Sequence, residues 1–316
     1  MSVLAPRMSI ADWSVLVSPP GDRLMAAFRS YFDESGKDTT AHNALAFCGF
    51  VTTIDGWKEF EGAWKAALDA NGAPWLHMKE LQDPNGCLAA FAGKQNEAAR
   101  NKLLGDLIKV IAGADLSCVG SLIRLPDLRE FNAENGMNIE PLPLAMYATM
   151  GQMHQLYPND NIEAIVDRLD KPEAIIATAV EYAASYIAYD PGEKISWTPL
   201  KGSDSFRNVL PIQAADFVAW EARKEHERKN GWWKDVKRGK AHTDWLLSEM
   251  IWLGNQGLPY PNHRMSFSVL ANAIKIHAGV IDYDFITKHH REIRHEIWTV
   301  EAKERYRKAL FLGKSV

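Results

Sequence analysis

Hydrophobic positions follow two spacings along this chain, one typical of strands and one typical of helices. Short apolar runs bounded by turn residues predict strands at residues 25–32, 44–53, 116–125, 162–166 and 195–199. Longer segments with apolar residues three and four apart predict helices at 56–70, 97–112, 143–157, 172–189 and 209–229. The first two strands form a predicted hairpin, and later strands alternate with helices. This order favours an α/β fold with a mixed central sheet flanked by helices.

The first predicted helix has clear signals at both ends and along one face. Asp55 is the predicted N-cap residue, and Asn71-Gly72 marks the end of the helix. Its apolar stripe predicts a buried face made of Trp57, Phe60, Trp64 and Leu68.

The 316 residues divide into three predicted parts. Residues 1–24 form an N-terminal arm, residues 25–230 form the main domain, and residues 231–316 form a mostly helical C-terminal extension. Hydrophobic residues make up 47% of the chain and charged residues 24%, which is typical of a globular protein with a sizeable core. The oligomeric state stays open.

Charge and cysteine content exclude several classes. The net charge of -4 argues against a uniformly basic surface, although local basic patches remain compatible with it. The three cysteines lack zinc-site spacing, so free thiols in a reducing compartment are the expectation. No signal peptide and no apolar run of about 18 residues is evident, so the sequence predicts a cytoplasmic protein without a membrane partner.

Three aspartates stand where a packed core disfavours charge. Asp33 and Asp167 follow apolar strands, and Asp216 interrupts an apolar helix. Two strand ends and one helix can converge at a sheet edge, and such oxygen ligands suit Mg²⁺ or Mn²⁺. The alternative is a turn residue for Asp33 and a solvated loop residue for Asp167. A role without metal is least expected for Asp216, because its helix is apolar on either side of it.

Four short strings in this chain resemble one known family. They are FDESG at 32–36, HMKEL at 77–81, VD at 166–167 and QAADF at 213–217. Their order resembles the domain-of-unknown-function 3800 proteins, which occur in bacteria and phages and are similar to the ribonuclease H-like superfamily. The resemblance spans residues 25–229, and the Asp-Glu-Ser-Gly motif is short but specific after an opening strand.

The resemblance implies a set of catalytic and metal-binding residues. Asp33, Asp167 and Asp216 match the metal-binding aspartates, and two such ions would support phosphodiester hydrolysis. The fourth acidic residue is Glu80 or Glu34, although Glu34 neighbours Asp33 and adjacent strand side chains point to opposite faces. His77 would transfer a proton, or else be a structural histidine beside the site.

Nucleic-acid contacts are expected around the last predicted helix. The stretch from 223 to 240 carries eight Lys and Arg against three acidic residues. Cations with interleaved aromatic residues suit the binding of a nucleic-acid strand. The alternative is that this stretch is a solvated helix end whose two tryptophans belong to a core. The candidate contacts are Lys201, Arg207, Gln213, Arg223, Lys224, Trp232 and Trp233. For Gln213 the alternative is an amide that satisfies a neighbouring loop.

Two functions follow as expectations. The first is a divalent-metal-dependent nuclease that hydrolyses phosphodiester bonds, and the resemblance implies a role in phage defence or a mobile element. The second is a non-catalytic nucleic-acid or protein-binding module on a ribonuclease H-like fold. Fold alone does not decide between them.

Overall fold

A computed structural model describes residues 28–36, 42–136, 138–186, 195–200, 205–229 and 277–281. Over these residues the chain forms one six-stranded sheet. The strands are β1 Phe28–Ser35, β2 Ala44–Thr53, β3 Ser117–Arg124, β4 Ile162–Val166, β5 Ile195–Pro199 and β6 His277–Ile281. The predicted arm at 1–24 and most of the predicted extension at 231–316 lie outside the described residues.

The described part of the chain also forms seven α-helices. They are α1 Ile54–Ala70, α2 Glu97–Gly113, α3 Leu125–Asn135, α4 Pro141–Leu156, α5 Pro172–Tyr186, α6 Ser205–Asn208 and α7 Leu210–Lys229. None of these described helices has the length and apolar content needed to cross a membrane.

The sheet is mixed, in the order β5-β4-β1-β2-β3-β6. β1 pairs antiparallel with β2, and β2 pairs antiparallel with β3. β4 is parallel to β1 and to β5, and β6 is parallel to β3. The predicted α/β class and the predicted β1–β2 hairpin pairing are therefore confirmed.

The two faces of the sheet pack against different helices. Tyr31 of β1 belongs to the core that contains residues of α1, α2 and α7. Its neighbour Phe32 belongs to the opposite core, with residues of α3, α4 and α5. Because strand side chains alternate, Asp33 and Ser35 lie on the same face as Tyr31. That face is the one covered by α7.

Helix α1 begins differently from the prediction. Thr53, not Asp55, is the N-cap residue, because its side-chain oxygen accepts a 3.1 Å hydrogen bond from the backbone N–H of Gly56. Asp55 instead lies in the first turn, where its charge favours the helix dipole. The predicted buried stripe of Trp57, Phe60, Trp64 and Leu68 is confirmed.

Two strand ends also differ from the predictions. β1 continues to Ser35 instead of ending at Phe32, so Asp33 lies inside the ladder with β2. β3 ends at Arg124, and Pro126 lies in the first turn of α3, a helix that the strand prediction over 116–125 missed. Proline is compatible with the first helical turn because the N–H groups there have no intrahelical partner.

Candidate metal centre

Asp33 and Asp167 lie side by side where two parallel strands meet. Phe32 pairs with Val166 in the register of β1 and β4, and the next step places Asp33 beside Asp167. The backbone N–H of Asp167 donates a 3.0 Å hydrogen bond to the Phe32 carbonyl, so the ladder continues to this point. Asp33 lies on the α7 face, as does Asp167, two residues after Ile165 of the same core.

Asp216 approaches the same place from α7. Burial is the largest cause that raises the pKa of Asp33 well above its usual value, followed by the charges of Asp216 and Asp167. Burial also raises the pKa of Asp216 to about 6, and the charge of Asp167 contributes to that rise. The three aspartates are therefore close enough to act on one another electrostatically.

The side chains of the three aspartates are not arranged as a metal coordination shell in this structure. Within the described residues, no group of three or more His, Cys, Asp or Glu side chains is arranged so that it could hold a metal ion. The Asp33 carboxylate instead accepts a 2.7 Å hydrogen bond from the backbone N–H of Glu34, which counteracts part of the rise in its pKa. The Glu34 side chain points to the opposite face of the sheet from Asp33.

Asp216 anchors the loop that follows α1. Its Oδ2 accepts a 2.7 Å hydrogen bond from the backbone N–H of Met78, and this bond lowers the pKa of Asp216 against the effect of burial. The Asp216 side chain is nearly enclosed, with 8% of the residue exposed. One oxygen of a candidate metal ligand therefore already has a structural partner.

Gln213, three residues earlier on the same face of α7, has a structural role. It is fully buried, and its Oε1 accepts hydrogen bonds of 3.0 Å from Trp64 Nε1 and from the backbone N–H of Leu76. Its Nε2 donates to the Phe206 carbonyl at 2.8 Å. These contacts match the alternative interpretation of Gln213 as an amide that satisfies neighbouring segments, and they leave no exposed amide for nucleic acid.

His77 and Glu80 lie close to Asp216. The charge of His77 lowers the pKa of Asp216 against the larger effect of burial, whereas the charge of Glu80 adds to the rise. The Nδ1 of His77 is 3.6 Å from Glu80 Oε1, and Trp75 Nε1 donates a 2.9 Å hydrogen bond to Glu80 Oε2. Of the two candidates for the fourth acidic position, Glu80 is therefore the one beside Asp216, although its oxygens contact other side chains.

Arg207 lies over two aromatic rings next to Glu80. Its guanidinium carbon is 4.6 Å from the centre of the Trp75 ring and 5.3 Å from that of the Phe206 ring. An Nη2 atom of Arg207 is 3.6 Å from Glu80 Oε1. The His77 ring stacks on the Phe206 ring, with 4.3 Å between ring centres. Trp75, His77, Phe206 and Arg207 are called the aromatic cluster below.

Ser35 and Gly36 of the Asp-Glu-Ser-Gly motif hold α7 against the sheet. Arg223 Nε donates a 3.0 Å hydrogen bond to Ser35 Oγ. Gly36 has φ +96°, and a β-carbon there would clash with the Ala44 carbonyl and lie 2.8 Å from Arg223 Cδ. The sequence prediction missed this role, although glycine after a strand is a usual signal for positive φ.

The other two predicted nucleic-acid contacts that the structure describes, Arg223 and Lys224, do not form an exposed basic patch. Arg223 is buried and pairs with Glu227 at 2.8 Å, so it stabilises α7 internally. Lys224 is also buried, with its ammonium 3.5 Å from the centre of the Trp220 ring, and burial lowers its pKa to about 8. The predicted contacts Lys201, Trp232 and Trp233 lie outside the described residues.

Three comparisons with known proteins find no relative. No protein-family model, no curated protein and no solved structure matches this chain.

Proposed function

We propose that this chain is a divalent-metal-dependent nuclease with a ribonuclease H-like domain. The proposed site consists of Asp33 on β1, Asp167 after β4 and Asp216 on α7. The strand order supports the assignment, because β1 lies between an antiparallel neighbour and a parallel one at the centre of a mixed sheet. The four strings that resemble the domain-of-unknown-function 3800 family contain the same three aspartates.

The observation that carries the proposal is the strand register that sets Asp33 beside Asp167, with Asp216 on the helix that covers the same face of the sheet. Burial is the largest cause that raises the pKa values of Asp33 and Asp216, and the charges of neighbouring carboxylates add to that rise. A bound divalent cation would remove the repulsion between these carboxylates and satisfy their oxygens. The donor set is all oxygen and anionic, which fits Mg²⁺ or Mn²⁺.

The roles of the residues follow from their positions. Asp33, Asp167 and Asp216 would hold the ion or ions, and Glu80 is the acidic residue placed to support them. The metal, when bound, supplies a Lewis acid that activates water and stabilises negative charge on phosphate oxygens. His77, which lies beside Asp216 and keeps 26% of its side chain exposed, is placed to exchange a proton with solvent.

Cleavage assays with matched variants test the proposal. The full chain is incubated with labelled single-stranded DNA, single-stranded RNA, duplex DNA and RNA–DNA hybrid, with Mg²⁺, Mn²⁺ or EDTA. We expect metal-dependent cleavage that falls by about 100-fold or more in Asp33→Asn and Asp216→Asn, because metal stabilisation of the transition state is worth several kcal/mol. Asp69→Asn, which removes an exposed carboxylate of α1, is the control and should cleave normally.

Two results would overturn the proposal. One is the absence of cleavage of all four substrates with either metal. The other is cleavage that survives both Asp33→Asn and Asp216→Asn. Salt-sensitive binding of nucleic acid without metal-dependent turnover would instead support the non-catalytic module.

A further inference from the structure

The aromatic cluster combines ring faces and a cation at the surface. Trp75, His77, Phe206 and Arg207 each keep part of their surface exposed. Two segments distant in sequence supply them, the loop after α1 and the short helix α6. A cation over aromatic faces is the combination that single-stranded nucleic acid uses, with phosphate on the cation and bases on the rings.

Helix α7 fixes the cluster next to the three aspartates. Gln213 binds the backbone at Leu76, beside Trp75 and His77, and also at Phe206. Asp216 binds the backbone of Met78, directly after His77. Because residues three apart on a helix share one face, the cluster and the carboxylate of Asp216 are positioned by the same surface of α7.

The contact between Arg207 and Glu80 is a weak one. The nitrogen–oxygen distance of 3.6 Å exceeds the roughly 2.7–2.9 Å of a charge-assisted hydrogen bond. The other oxygen of Glu80 accepts from Trp75 Nε1, so Glu80 cannot offer Arg207 a bidentate arrangement in this position. A phosphate group can, because its oxygens match the fork of a guanidinium.

Arg207 is also the cation best placed for this role. Of the predicted nucleic-acid-binding cations that the structure describes, Arg223 and Lys224 are buried, whereas Arg207 keeps 36% of its side chain exposed. An anionic strand that approaches a cluster of carboxylates needs a positive contact nearby. The aromatic rings hold the guanidinium in place, which reduces the entropy lost on binding.

We propose that the aromatic cluster is a binding subsite for one phosphate and an adjacent base of single-stranded nucleic acid. Arg207 binds the phosphate as its loose contact with Glu80 gives way, and the half-buried rings stack the base. Double-stranded substrates fit poorly because their bases already stack on each other. This inference takes its substrate class from the proposed nuclease function, and its binding step requires no metal.

Glu80 acquires a specific role in this arrangement. It holds Arg207 near the rings while the subsite is empty, and it competes with phosphate for the guanidinium. Glu80 is then a positioning residue for Arg207. Loss of its charge should strengthen the binding of nucleic acid, whereas loss of a purely structural residue would weaken it.

Binding without metal tests the subsite separately from cleavage. The probe is a fluorescein-labelled single strand of deoxythymidylate about 12 nucleotides long, measured by fluorescence anisotropy in EDTA over a range of salt concentrations. We expect Arg207→Gln to bind about tenfold more weakly and to reduce the magnitude of the salt slope by about 0.7, the value for one lost phosphate contact on a single strand. Arg129→Gln, an equal charge change at an exposed position of α3, should leave both unchanged.

Two further variants test the roles of Glu80 and of the guanidinium fork. Glu80→Gln should bind the same probe about threefold or more tightly, because its amide still accepts from Trp75 but no longer attracts Arg207. Arg207→Lys should lose part of the affinity, since it keeps the charge but not the fork. Each variant is first checked by urea unfolding, so that misfolded protein is not scored.

The outcomes separate this inference from the proposed function. Equal affinity of wild type and Arg207→Gln, weaker binding by Glu80→Gln, or equal affinity for the matching duplex would overturn the subsite, even if metal-dependent cleavage is found. If the chain cleaves none of the substrates but the variants shift binding as expected, the nuclease proposal fails and the subsite stands.

Discussion

The backbone N–H of Met78 donates a 2.7 Å hydrogen bond to Asp216 Oδ2. A candidate metal ligand therefore also holds the loop that carries Trp75 and His77. The same helix face holds that loop a second time through Gln213 and Leu76. Changes in the charge of Asp216 are accordingly expected to affect both folding and binding.

The stability of the metal-free protein should depend on pH through Asp216. Its pKa rises from 3.8 to about 6 on folding, so between these values the folded state binds more protons than the unfolded state. The free energy of unfolding therefore falls as pH increases through this window. Asp216→Asn removes the buried charge but can keep the acceptor for Met78.

We expect Asp216→Asn to be more stable than wild type by about 3 kcal/mol above pH 7, with the difference shrinking toward zero by about pH 4. Urea unfolding in EDTA at several pH values measures the difference. If the variant is less stable than wild type at every pH, the charge of Asp216 does not destabilise the folded protein.

Divalent metal should stabilise the wild-type fold. A ligand that binds only the folded state raises stability by RT ln(1 + [L]/Kd), or about 2.7 kcal/mol at 100 times Kd. We expect the thermal midpoint to rise on addition of Mn²⁺ or Mg²⁺, and the rise to be lost in Asp33→Asn. A shift of the same size in that variant would place the bound metal elsewhere in the protein.

Gln213 should be important for stability and not for phosphate binding. Gln213→Leu leaves Trp64 Nε1, the Leu76 N–H and the Phe206 carbonyl without their present partner. Each unsatisfied buried group costs about 1–3 kcal/mol, so we expect a loss of at least about 2 kcal/mol in urea unfolding. Gln82→Leu, at an exposed position, should change stability by no more than about 0.5 kcal/mol.

Gly36 and Gly62 form a matched pair of substitutions that tests the role of glycine in the Asp-Glu-Ser-Gly motif. Gly36→Ala should destabilise the protein by about 1–3 kcal/mol, because the position has φ +96° and no room for a β-carbon. Gly62→Ala on α1, where a β-carbon meets nothing within 4 Å, should stabilise it by about 0.5–1 kcal/mol. Chemical denaturation of both variants provides the comparison, and equal effects would contradict the role assigned to Gly36.

The sequence predicted the strands and helices where local pattern and packing agree. Strands such as β2, and the buried stripe of α1, follow from apolar periodicity, and their positions are confirmed. The end of β1 was misplaced because Asp33 and Glu34 are polar yet remain in the ladder with β2. Helix α3 was missed because proline resembles a strand terminator when its first-turn role is not considered.

The site was predictable only in part, for a similar reason. Asp216 stands out because a charge interrupts an apolar helix. By contrast, Arg223 and Lys224 look like surface cations in the sequence, and only tertiary contacts with Ser35, Glu227 and Trp220 reveal that they are buried. Arg223 and Ser35 are more than 180 residues apart in the sequence, so no local sequence pattern predicts their hydrogen bond.

The buried amide of Gln213 also sets how slowly nearby protons exchange with solvent. The Leu76 N–H belongs to no strand or helix, yet it donates a buried hydrogen bond to the side chain of Gln213 on α7. A loop amide held in this way opens only when α7 separates from the loop, which is a subglobal or global event. Hydrogen–deuterium exchange should therefore find the Leu76 amide, and the Met78 amide that Asp216 binds, protected as strongly as the amides of β2.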